Sequence, residues 1–541
     1  MDFIFGTLAT DELKVVHHRA LRRGVQHQHA IQPIDPLPGD PVTLTVIVGQ
    51  ATSADQVTVY YTTDGSIPDG ERGTPHNGQT VALTRVEYAW DTVAWAYLGV
   101  WRGTLPAQSE GTVMRYRIGA WESAGTDEVF ADYPEHKYTS ERAAAAFFAG
   151  LPVPADVPSH TARRDVFTYY VDTYTTPDWA RDAVLYQIMP DRFYPGDGRD
   201  WLTPDSLTGI YGGTLWGVRD KLDYIAALGV TCIWLTPTFP SPTHHGYDVT
   251  DYLHVEPRLG GDDAMHALVQ AAHARGIRVL LDLVCNHISH EHPHFVDARQ
   301  SVSSPYREWF LFDDHDPIGY KTFFGVETMP YINLLNPGAR AWMLSIAQHW
   351  LREYDIDGYR LDHANGPGPD FWADFRAACR AVKPDCWVIG EVVEAPDILR
   401  SYVGRLDGLL DFHMEDALRR TYAFNTMTER EFAQFTERHY SYFPASFSLP
   451  TFLDNHDMDR FLFAAGGNQA ALRRAAAAQM RLPPPPVIYY GTEVGLSQNS
   501  GKHAGLGLEV SRLPMLWGSA QDADLLAYYR QLIQQRATMP R

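Results

Sequence analysis

Asp-Gly-Tyr-Arg-Leu-Asp-His, at residues 357–363, is the stretch that decides the fold: a short strand-like segment with an acid, Asp362, at its end. Two later strand-like stretches also carry an acid at or near their ends: Trp-Val-Ile-Gly-Glu-Val at 387–392 and Phe-Leu-Asp-Asn-His-Asp at 452–457. An earlier one, Asp-Leu-Val-Cys-Asn-His, occupies 282–287. Acids this far apart in sequence converge only if several strand ends meet at one face, as they do in a β/α barrel.

The alternation of sequence patterns from residue 181 onward favours the same fold. Strand-like runs alternate with helical patterns, and eight of each predict a closed parallel (β/α)8 TIM barrel over 181–541, in the α/β class. A doubly wound open sheet is the structural alternative. The stretch 288–337 is too long for an ordinary loop and predicts a small inserted domain after the third strand. The predicted strands are 184–189, 232–235, 278–284, 358–362, 388–392, 409–412, 446–453 and 487–490.

The first 140 residues have a different pattern. Runs of β-branched and aromatic residues, such as 42–48 and 57–62, are bounded by turn clusters that contain Asp-Gly. Short strands at this spacing predict an immunoglobulin-like all-β sandwich over 1–140. A stretch rich in alanine and proline follows and predicts a linker over 141–180.

Composition narrows the class of protein. The 541 residues are 45% hydrophobic, which is enough for a large core and more than one domain. The net charge of −21 argues against nucleic acid and anionic membranes as partners. We find neither a signal-peptide pattern at the start nor an apolar run of about 18 residues, and we expect a cytoplasmic protein. The four cysteines show no Cys-x-x-Cys spacing, and we expect buried free thiols.

Three further motifs carry a family resemblance. They are Lys-Leu-Asp-Tyr at 221–224, His-Gly-Tyr-Asp-Val-Thr-Asp-Tyr at 245–252 and Tyr-Tyr-Gly-Thr-Glu-Val-Gly at 489–495. Together with the four stretches above, they resemble the α-amylase family of retaining glycoside hydrolases. Within that family, Met-Pro-Tyr-Ile-Asn at 329–333 and the β-rich N-terminal domain are similar to the neopullulanase, cyclomaltodextrinase and maltogenic amylase group.

The resemblance implies a role for each acid. Asp362 would be the nucleophile, Glu391 the general acid and then base, and Asp457 a ligand of sugar hydroxyls. Arg360 lies two residues before Asp362, hence on the same side of the strand, and would keep that carboxylate ionised. The alternatives are an Arg–Asp structural pair and a solvent-facing glutamate. The predicted substrate contacts are Tyr247, Asp248, His287, Arg360, His363, Glu394 and His456.

Three features depart from the resembled group. Val393 and Glu394 follow the acid–base motif where the group usually has Trp-His, and His363 follows the nucleophile where the group usually has a small apolar residue. Both positions should line the side of the active site that binds the leaving group. The chain ends just after the eighth helical pattern, where the family usually continues, so we expect the C-terminal β-sandwich to be absent.

The resemblance also implies a structural calcium. Residues 191–200 are similar to a calcium loop of the group, with Asp197, Asp200 and Gly212 as the implied ligands. The partner motif usually reads Gly-Gly-Asp, whereas Thr214 stands here in place of the acid, so an ion-free turn is the alternative. Catalysis is expected to require no cofactor.

The N-terminal tryptophans allow two interpretations. Trp90, Trp95 and Trp101 could form a glucan-binding surface or pack in a core or interface, and we favour packing or an interface. In the resembled group this domain often helps to build a dimer, which implies a homodimer.

The predicted function is hydrolysis of α-1,4-glucosidic bonds in maltooligosaccharides, cyclodextrins or starch-like α-glucans through a covalent glycosyl-enzyme intermediate. An α-glucan transferase on the same scaffold is the alternative, because a sugar hydroxyl could attack that intermediate in place of water. A non-catalytic binding barrel is a third hypothesis, and the presence of all three acids argues against it.

Overall fold

The computed structural model describes residues 10–133, 143, 146–147, 150–152, 166–313, 318–505 and 507–539. The chain divides into two compact units. The N-terminal unit comprises Ile4–Thr175 and Val393–Arg405, and the barrel unit comprises Thr176–Val392 and Leu406–Arg541. Within the predicted linker over 141–180, residues 141–142, 144–145, 148–149 and 153–165 lie outside the described residues.

The N-terminal unit contains two antiparallel sheets. Its strands are β1 (Val25–Gln26), β2 (Ile31–Gln32), β3 (Val42–Val48), β4 (Gln56–Thr62), β5 (Asp69–Glu71), β6 (Thr74–Asn77), β7 (Gln79–Ala82), β8 (Thr84–Asp91), β9 (Ala96–Leu105), β10 (Thr112–Trp121), β11 (Glu128–Phe130) and β12 (Phe167–Val171). One sheet has the order β1-β3-β9-β8, with β2 beside β3. The other has the order β11-β10-β4-β7, with β12 beside β10, and β5 and β6 form a separate hairpin.

Alternating side chains join the two sheets into a sandwich. Every second residue of β3 from Val42 to Val48 is buried, as expected for a strand with one face on a core. These residues share a hydrophobic cluster with Val59, Met114 and Ile118 of the other sheet. The predicted N-terminal β-sandwich is therefore confirmed.

Two elements of this unit were not predicted. Strand β12 pairs antiparallel with β10 from Thr112↔Val171 to Tyr116↔Phe167, although it lies in the predicted linker. The alanine- and proline-rich stretch before it dominates the composition of 141–180 and hides the Phe-Thr-Tyr-Tyr-Val pattern. The other is the helix Asp11–Arg19, which precedes β1 and is followed by the 3-10 turn Ala20–Arg22. The short helix Pro396–Arg400, in the second segment of the unit, falls within a helical pattern that the sequence predicts over 395–403.

The barrel unit is built on one sheet of eight parallel strands. They are β13 (Leu185–Ile188), β14 (Cys232–Leu235), β15 (Arg278–Val284), β16 (Gly358–Asp362), β17 (Trp387–Gly390), β18 (Gly408–Leu409), β19 (Thr451–Phe452) and β20 (Pro486–Tyr489). Their order is β18-β17-β16-β15-β14-β13-β20-β19. A parallel bridge between Gly408 and Ser448 closes the ring, because Ser448 precedes β19 and Gly408 lies in β18. The closed barrel is confirmed.

Helices alternate with the barrel strands as predicted. None of the helices in the described residues has the length and apolar character that a membrane span requires. The α-helices of this unit are Asp178–Arg181, Pro190–Phe193, Leu215–Asp220, Leu222–Leu228, Gly261–His273, Pro293–Gln300, Pro337–Glu353, Pro369–Val382, Phe412–Tyr422, Glu429–Tyr442, Phe461–Ala464, Gln469–Arg481 and Ala523–Ala537. Its 3-10 turns are Pro257–Leu259, Arg307–Trp309, Phe323–Gly325, Thr492–Val494, Gly507–Ser511 and Gly518–Ala520.

The sixth barrel strand is shorter than predicted. We expected a strand over 409–412, but β18 ends at Leu409 and a helix begins at Phe412. The carboxylate of Asp411 accepts a hydrogen bond from the N–H of Met414 at 3.0 Å. Such an N-cap satisfies a helix-end donor, so it starts a helix within a run that reads as strand.

The predicted insertion follows the third barrel strand. Its described part contains the helix Pro293–Gln300 and short antiparallel bridges, including His287↔Tyr331 and Phe310↔Ile332. Phe295 and Phe310 pack edge to face, with ring centroids 4.9 Å apart, so the insertion has an aromatic core of its own. It leads into the helix Pro337–Glu353.

Candidate active site

A single guanidinium joins two of the three candidate catalytic acids, Asp362 and Glu391. Arg360 is fully buried, and its Nη1 donates to Oδ1 of Asp362 at 3.0 Å and to both carboxylate oxygens of Asp282 at 2.9 Å. Its Nη2 lies 2.8 Å from Oε1 of Glu391. Three carboxylates from three regions of the sequence therefore surround one positive charge.

The strand register brings these groups together. Strands β15, β16 and β17 are neighbours, and Asp282 pairs with Arg360 across the first of these ladders. Glu391 directly follows β17, and its N–H donates to the carbonyl of Leu361 at 2.9 Å. Because the strands are parallel, their carboxyl ends lie at one face, as the sequence predicted for Asp362 and Glu391.

The residue after Asp362 forms a backbone hydrogen bond with Glu391. The N–H of His363 donates to Oε2 of Glu391 at 3.1 Å. His363 has φ of 39°, in the left-handed region that non-glycine residues seldom adopt. This conformation costs free energy locally and turns the N–H toward the carboxyl group. Phe323 packs edge to face on the His363 ring at 5.0 Å.

Burial perturbs the protonation of the two central acids. Burial, opposed by Arg360 and reinforced by Asp362 and Asp457, raises the pKa of Glu391 to about 7. Burial, with the same opposition from Arg360, also raises the pKa of Asp362 to about 7. Because the two carboxyl groups interact, they release their protons in two successive steps, and each step is a property of the pair and not of either residue alone. Near neutral pH the pair can therefore hold one proton.

Asp457 differs from the other two acids. Its side chain is 30% exposed, its Oδ1 accepts from Nη2 of Arg512 at 3.0 Å, and its Oδ2 lies 3.1 Å from Nε2 of His456. Burial favours the neutral form of Asp457, but the nearby side chains of His456, Arg512 and Arg360 outweigh it and lower the pKa of Asp457. Asp457 is therefore the acid of the site best suited to remain ionised.

An aromatic pair lies beside these acids. The rings of Tyr247 and His456 are stacked, 5.4 Å apart and 5° from parallel, and the Tyr247 hydroxyl lies 2.5 Å from Nε2 of His456. That hydroxyl also donates to Oδ2 of Asp282 at 3.1 Å. Nε2 of Gln187 lies 2.7 Å from Nδ1 of His456. Burial lowers the pKa of His456 to about 3, so its ring is neutral at physiological pH.

Two predicted substrate contacts use their polar atoms within the protein. Nε2 of His287 lies 3.2 Å from the carbonyl of Tyr247, and burial lowers the pKa of His287 to about 3. Oδ1 of Asp248 accepts from the hydroxyls of Ser241 at 2.6 Å and Thr243 at 2.5 Å. Both residues are buried, and contact with a sugar stays a prediction for each.

Glu394 falls within the second segment of the N-terminal unit, whereas the other candidates fall within the barrel unit. It is buried and belongs to segment Val393–Arg405 of the N-terminal unit. Its predicted role as a substrate contact therefore stays a prediction.

The predicted calcium ligands carry competing contacts. Oδ2 of Asp197 accepts from Arg199 at 3.3 Å, and its Oδ1 lies 4.0 Å from Arg219, so two guanidinium groups face this carboxylate. Asp200 is exposed. The N–H of Gly212 donates to Asp191 at 3.0 Å. Across the described ranges no group of three or more His, Cys, Asp or Glu side chains is arranged to hold a metal. This donor set fits calcium poorly, because positive charge already faces its main carboxylate.

The sequence analysis did not assign several residues that complete the site. Asp282 lies in a quoted stretch, but its pairing with Arg360 depends on strand register. Trp234 donates from Nε1 to Asp282 at 3.1 Å. Gln187 and Arg512 contact His456 and Asp457, and no local pattern in the sequence marks either of them.

Comparison with known proteins gives the same fold. The family model for the α-amylase catalytic domain matches residues 187–528. Alpha-amylase 2 of Dictyoglomus thermophilum is 37% identical over 378 residues, 68% of this chain and 66% of that protein. The cyclomaltodextrinase of Geobacillus thermopakistaniensis is 35% identical over 386 residues, 68% of this chain and 64% of that protein. The ligand-free structure of cyclic α-maltosyl-(1→6)-maltose hydrolase from Arthrobacter globiformis matches with a TM-score of 0.62 and 32% identity, over 68% of this chain and 85% of that one.

A closed β/α barrel with carboxylates at its strand ends around one arginine defines an amylase-type catalytic domain. The chain belongs to the α-amylase family. The matched region spans slightly less than two thirds of the length of the two curated relatives.

Proposed function

We propose that this protein is a retaining glycoside hydrolase that cleaves α-1,4-glucosidic bonds in maltooligosaccharides, cyclodextrins or starch-like α-glucans. The observation that carries the proposal is the contact of Asp362 and Glu391 with the two Nη atoms of Arg360, at 3.0 and 2.8 Å. This shared partner holds the two carboxylates side by side. Retaining enzymes need a nucleophile and an acid about 5–5.5 Å apart.

In the proposed mechanism the acids act in sequence. Asp362 attacks the anomeric carbon while Glu391 donates its proton to the leaving oxygen, which forms a glycosyl ester on Asp362. Glu391 then takes a proton from water, and the resulting hydroxide displaces Asp362 and releases the sugar. Asp457, kept ionised by its neighbours, binds hydroxyls of the sugar ring and favours its distortion. No step uses a cofactor, and a calcium at Asp197, Asp200 and Gly212 would be structural.

Three substrates test the proposal in parallel: β-cyclodextrin, soluble starch and pullulan, with products separated by chromatography. Fast opening of cyclodextrin with slow attack on starch would favour a cyclomaltodextrinase-like specificity, and the reverse would favour an α-amylase-like one. Products longer than the substrate from maltotetraose would instead identify an α-glucan transferase. No turnover of any of these glucans would contradict the proposal.

We also propose a cytoplasmic homodimer. All four cysteines are free and buried, which is consistent with a reducing compartment. Trp101 is buried in the sandwich core, whereas Tyr88, Trp90, Trp95 and Tyr97 are exposed, Trp95 by 70%. Monomers seldom expose such aromatic clusters, and a second copy could cover this one. Sedimentation of the wild type and of Trp95→Ser tests the dimer; a wild-type monomer at micromolar concentration would contradict it.

A further inference from the structure

A chain of ionisable side chains extends outward from Asp457. Arg512 contacts Asp457, Glu509 contacts Arg512, and His244 and Arg192 contact Glu509. The proposed reaction assigns no role to Glu509. This residue lies in the 3-10 turn Gly507–Ser511, and its side chain is 12% exposed.

Arg512 is fixed by three partners. Its Nη2 donates to Oδ1 of Asp457 at 3.0 Å, and its Nε donates to the carbonyl of His456 at 2.8 Å. Its Nη1 donates to Oε1 of Glu509 at 2.9 Å. Because the guanidinium is a rigid planar fork, three contacts of this kind fix its plane as well as its position. Loss of one contact would free the group to rotate and would shift Asp457.

Glu509 connects two loops at the same face of the barrel. While Oε1 accepts from Arg512, Oε2 lies 2.8 Å from Nε2 of His244 and 3.7 Å from Nη2 of Arg192. His244 belongs to the loop after β14, three residues before Tyr247. Tyr247 stacks on His456, the neighbour of Asp457. One carboxylate therefore holds both the segment that carries Arg512 and the loop that carries Tyr247.

The charge of Glu509 is maintained by its surroundings. Burial opposes ionisation, but His244, Arg512 and Arg192 outweigh it and lower the pKa of Glu509 to about 2. The carboxylate is ionised throughout the working pH range of the acids described above. A glutamine of the same shape would keep a weak acceptor and lose the charge.

We propose that Glu509 is a positioning residue that holds Asp457 in place through Arg512 and fixes the loop of Tyr247 through His244. The inference rests on the proposed glycosidase function, since it concerns the residue that binds the sugar during the reaction. Glu509 does not contact the reacting atoms. Its effect is on the transition state, because distortion of the sugar requires a correctly placed Asp457.

The test is a double-mutant cycle with Glu509→Gln and Arg512→Gln, assayed on maltotriose. Glu509→Gln is expected to lower kcat by about tenfold, with KM changed less than about twofold, because small misplacements of catalytic groups have effects of this size or larger. In the Arg512→Gln background the same change should have little further effect, since the path through Arg512 is already broken. Glu431→Gln, at an exposed helix cap, is the matched control.

Several outcomes would overturn the inference. Unchanged kcat in Glu509→Gln would do so, and so would an equal, additive loss in the Arg512→Gln background. If Glu509→Gln does not fold, Glu509→Asp replaces it; this variant keeps the charge, and its kcat should lie between those of the wild type and Arg512→Gln. An inactive wild type would contradict the proposed function, whereas an active wild type with a fully active Glu509→Gln would contradict only the role of Glu509.

Discussion

Nη1 of Arg360 lies 2.9 Å from both carboxylate oxygens of Asp282, and both side chains are fully buried. Asp282 thus neutralises the arginine from β15, while Asp362 contacts it from the end of the same strand, β16, and Glu391 from the position just after β17. The charge on Asp282 also raises the pKa of Asp362. Asp282 is therefore part of the electrostatics of the site.

Asp282→Asn should therefore change both stability and pH dependence. Breaking a buried ion pair leaves charge uncompensated, and we expect a loss of about 3 kcal/mol in urea unfolding. Removal of the negative charge should lower the pKa of Asp362 and move the acid limb of the profile of kcat/KM against pH to lower pH. Asp251→Asn, in an exposed pair with His254, is the control. An acid limb at the wild-type pH would show that Asp282 does not influence Asp362.

Asp362→Asn tests the proposed nucleophile. Without a carboxylate no glycosyl ester forms, and we expect kcat on maltotriose to fall by about 10⁴-fold or more. The matched control is Asp374→Asn, which breaks a largely buried pair with Arg340, 2.8 Å away, on the helix Pro369–Val382. That control should lower Tm and leave kcat within about twofold. Retention of activity by Asp362→Asn would assign the nucleophile to another residue.

The raised pKa values of Asp362 and Glu391 predict a bell-shaped dependence of the rate on pH. The active form carries one proton, so the rate should rise as the first proton leaves the pair and fall as the second leaves, on either side of about pH 7. The pKa of Glu391 is raised, so its acid form is lost as pH rises through about 7, which produces the alkaline limb.

Glu391→Gln should remove the alkaline limb. The kcat of the variant should fall by about a hundredfold or more on maltotriose. On an aryl α-maltoside the fall should be much smaller, because an acidic phenol leaves without being protonated. Equal losses on both substrates would argue against Glu391 as the general acid.

The sequence was sufficient for much of this site and not for all of it. Asp362, Glu391 and Asp457 could be predicted because each lies at or shortly after the carboxyl end of a barrel strand, and parallel strands in a barrel end at one face. The contact between Asp282 and Arg360 depends on the register of β15 against β16, which no local pattern encodes. Arg512 reaches Asp457 from irregular structure, where neither the period of a strand nor that of a helix guides a prediction.

Chelation tests the predicted calcium. Because Arg199 and Arg219 already face Asp197, we expect EDTA followed by dialysis to leave Tm within about 1 °C of the value in calcium chloride. Asp197→Asn under the same two conditions is the control, since it removes the main carboxylate. A fall of several degrees in the wild type alone, reversed by added calcium, would establish a structural ion at this loop.

Gln187 determines which nitrogen of His456 carries the proton. With Nε2 of Gln187 donating to Nδ1 at 2.7 Å, the neutral ring carries its proton on Nε2, which faces the Tyr247 hydroxyl at 2.5 Å and Asp457 at 3.1 Å. We expect Gln187→Leu to remove the preference for this tautomer and to lower kcat/KM on maltotriose by about tenfold. Gln187→Glu should cause a larger loss, because a carboxylate would favour a proton on Nδ1.

Nitrogen NMR of His456 provides a direct measurement of this effect. In the wild type the spectrum should show a neutral ring protonated on Nε2, since burial lowers the pKa of His456 to about 3. Gln187→Glu should move the proton to Nδ1. Gln469→Leu, which removes an exposed hydrogen bond to Asp522, is the control and should change neither the spectrum nor kcat/KM. If Gln187→Glu leaves the proton on Nε2, the tautomer is set by Tyr247 and Asp457, and any loss of activity has another cause.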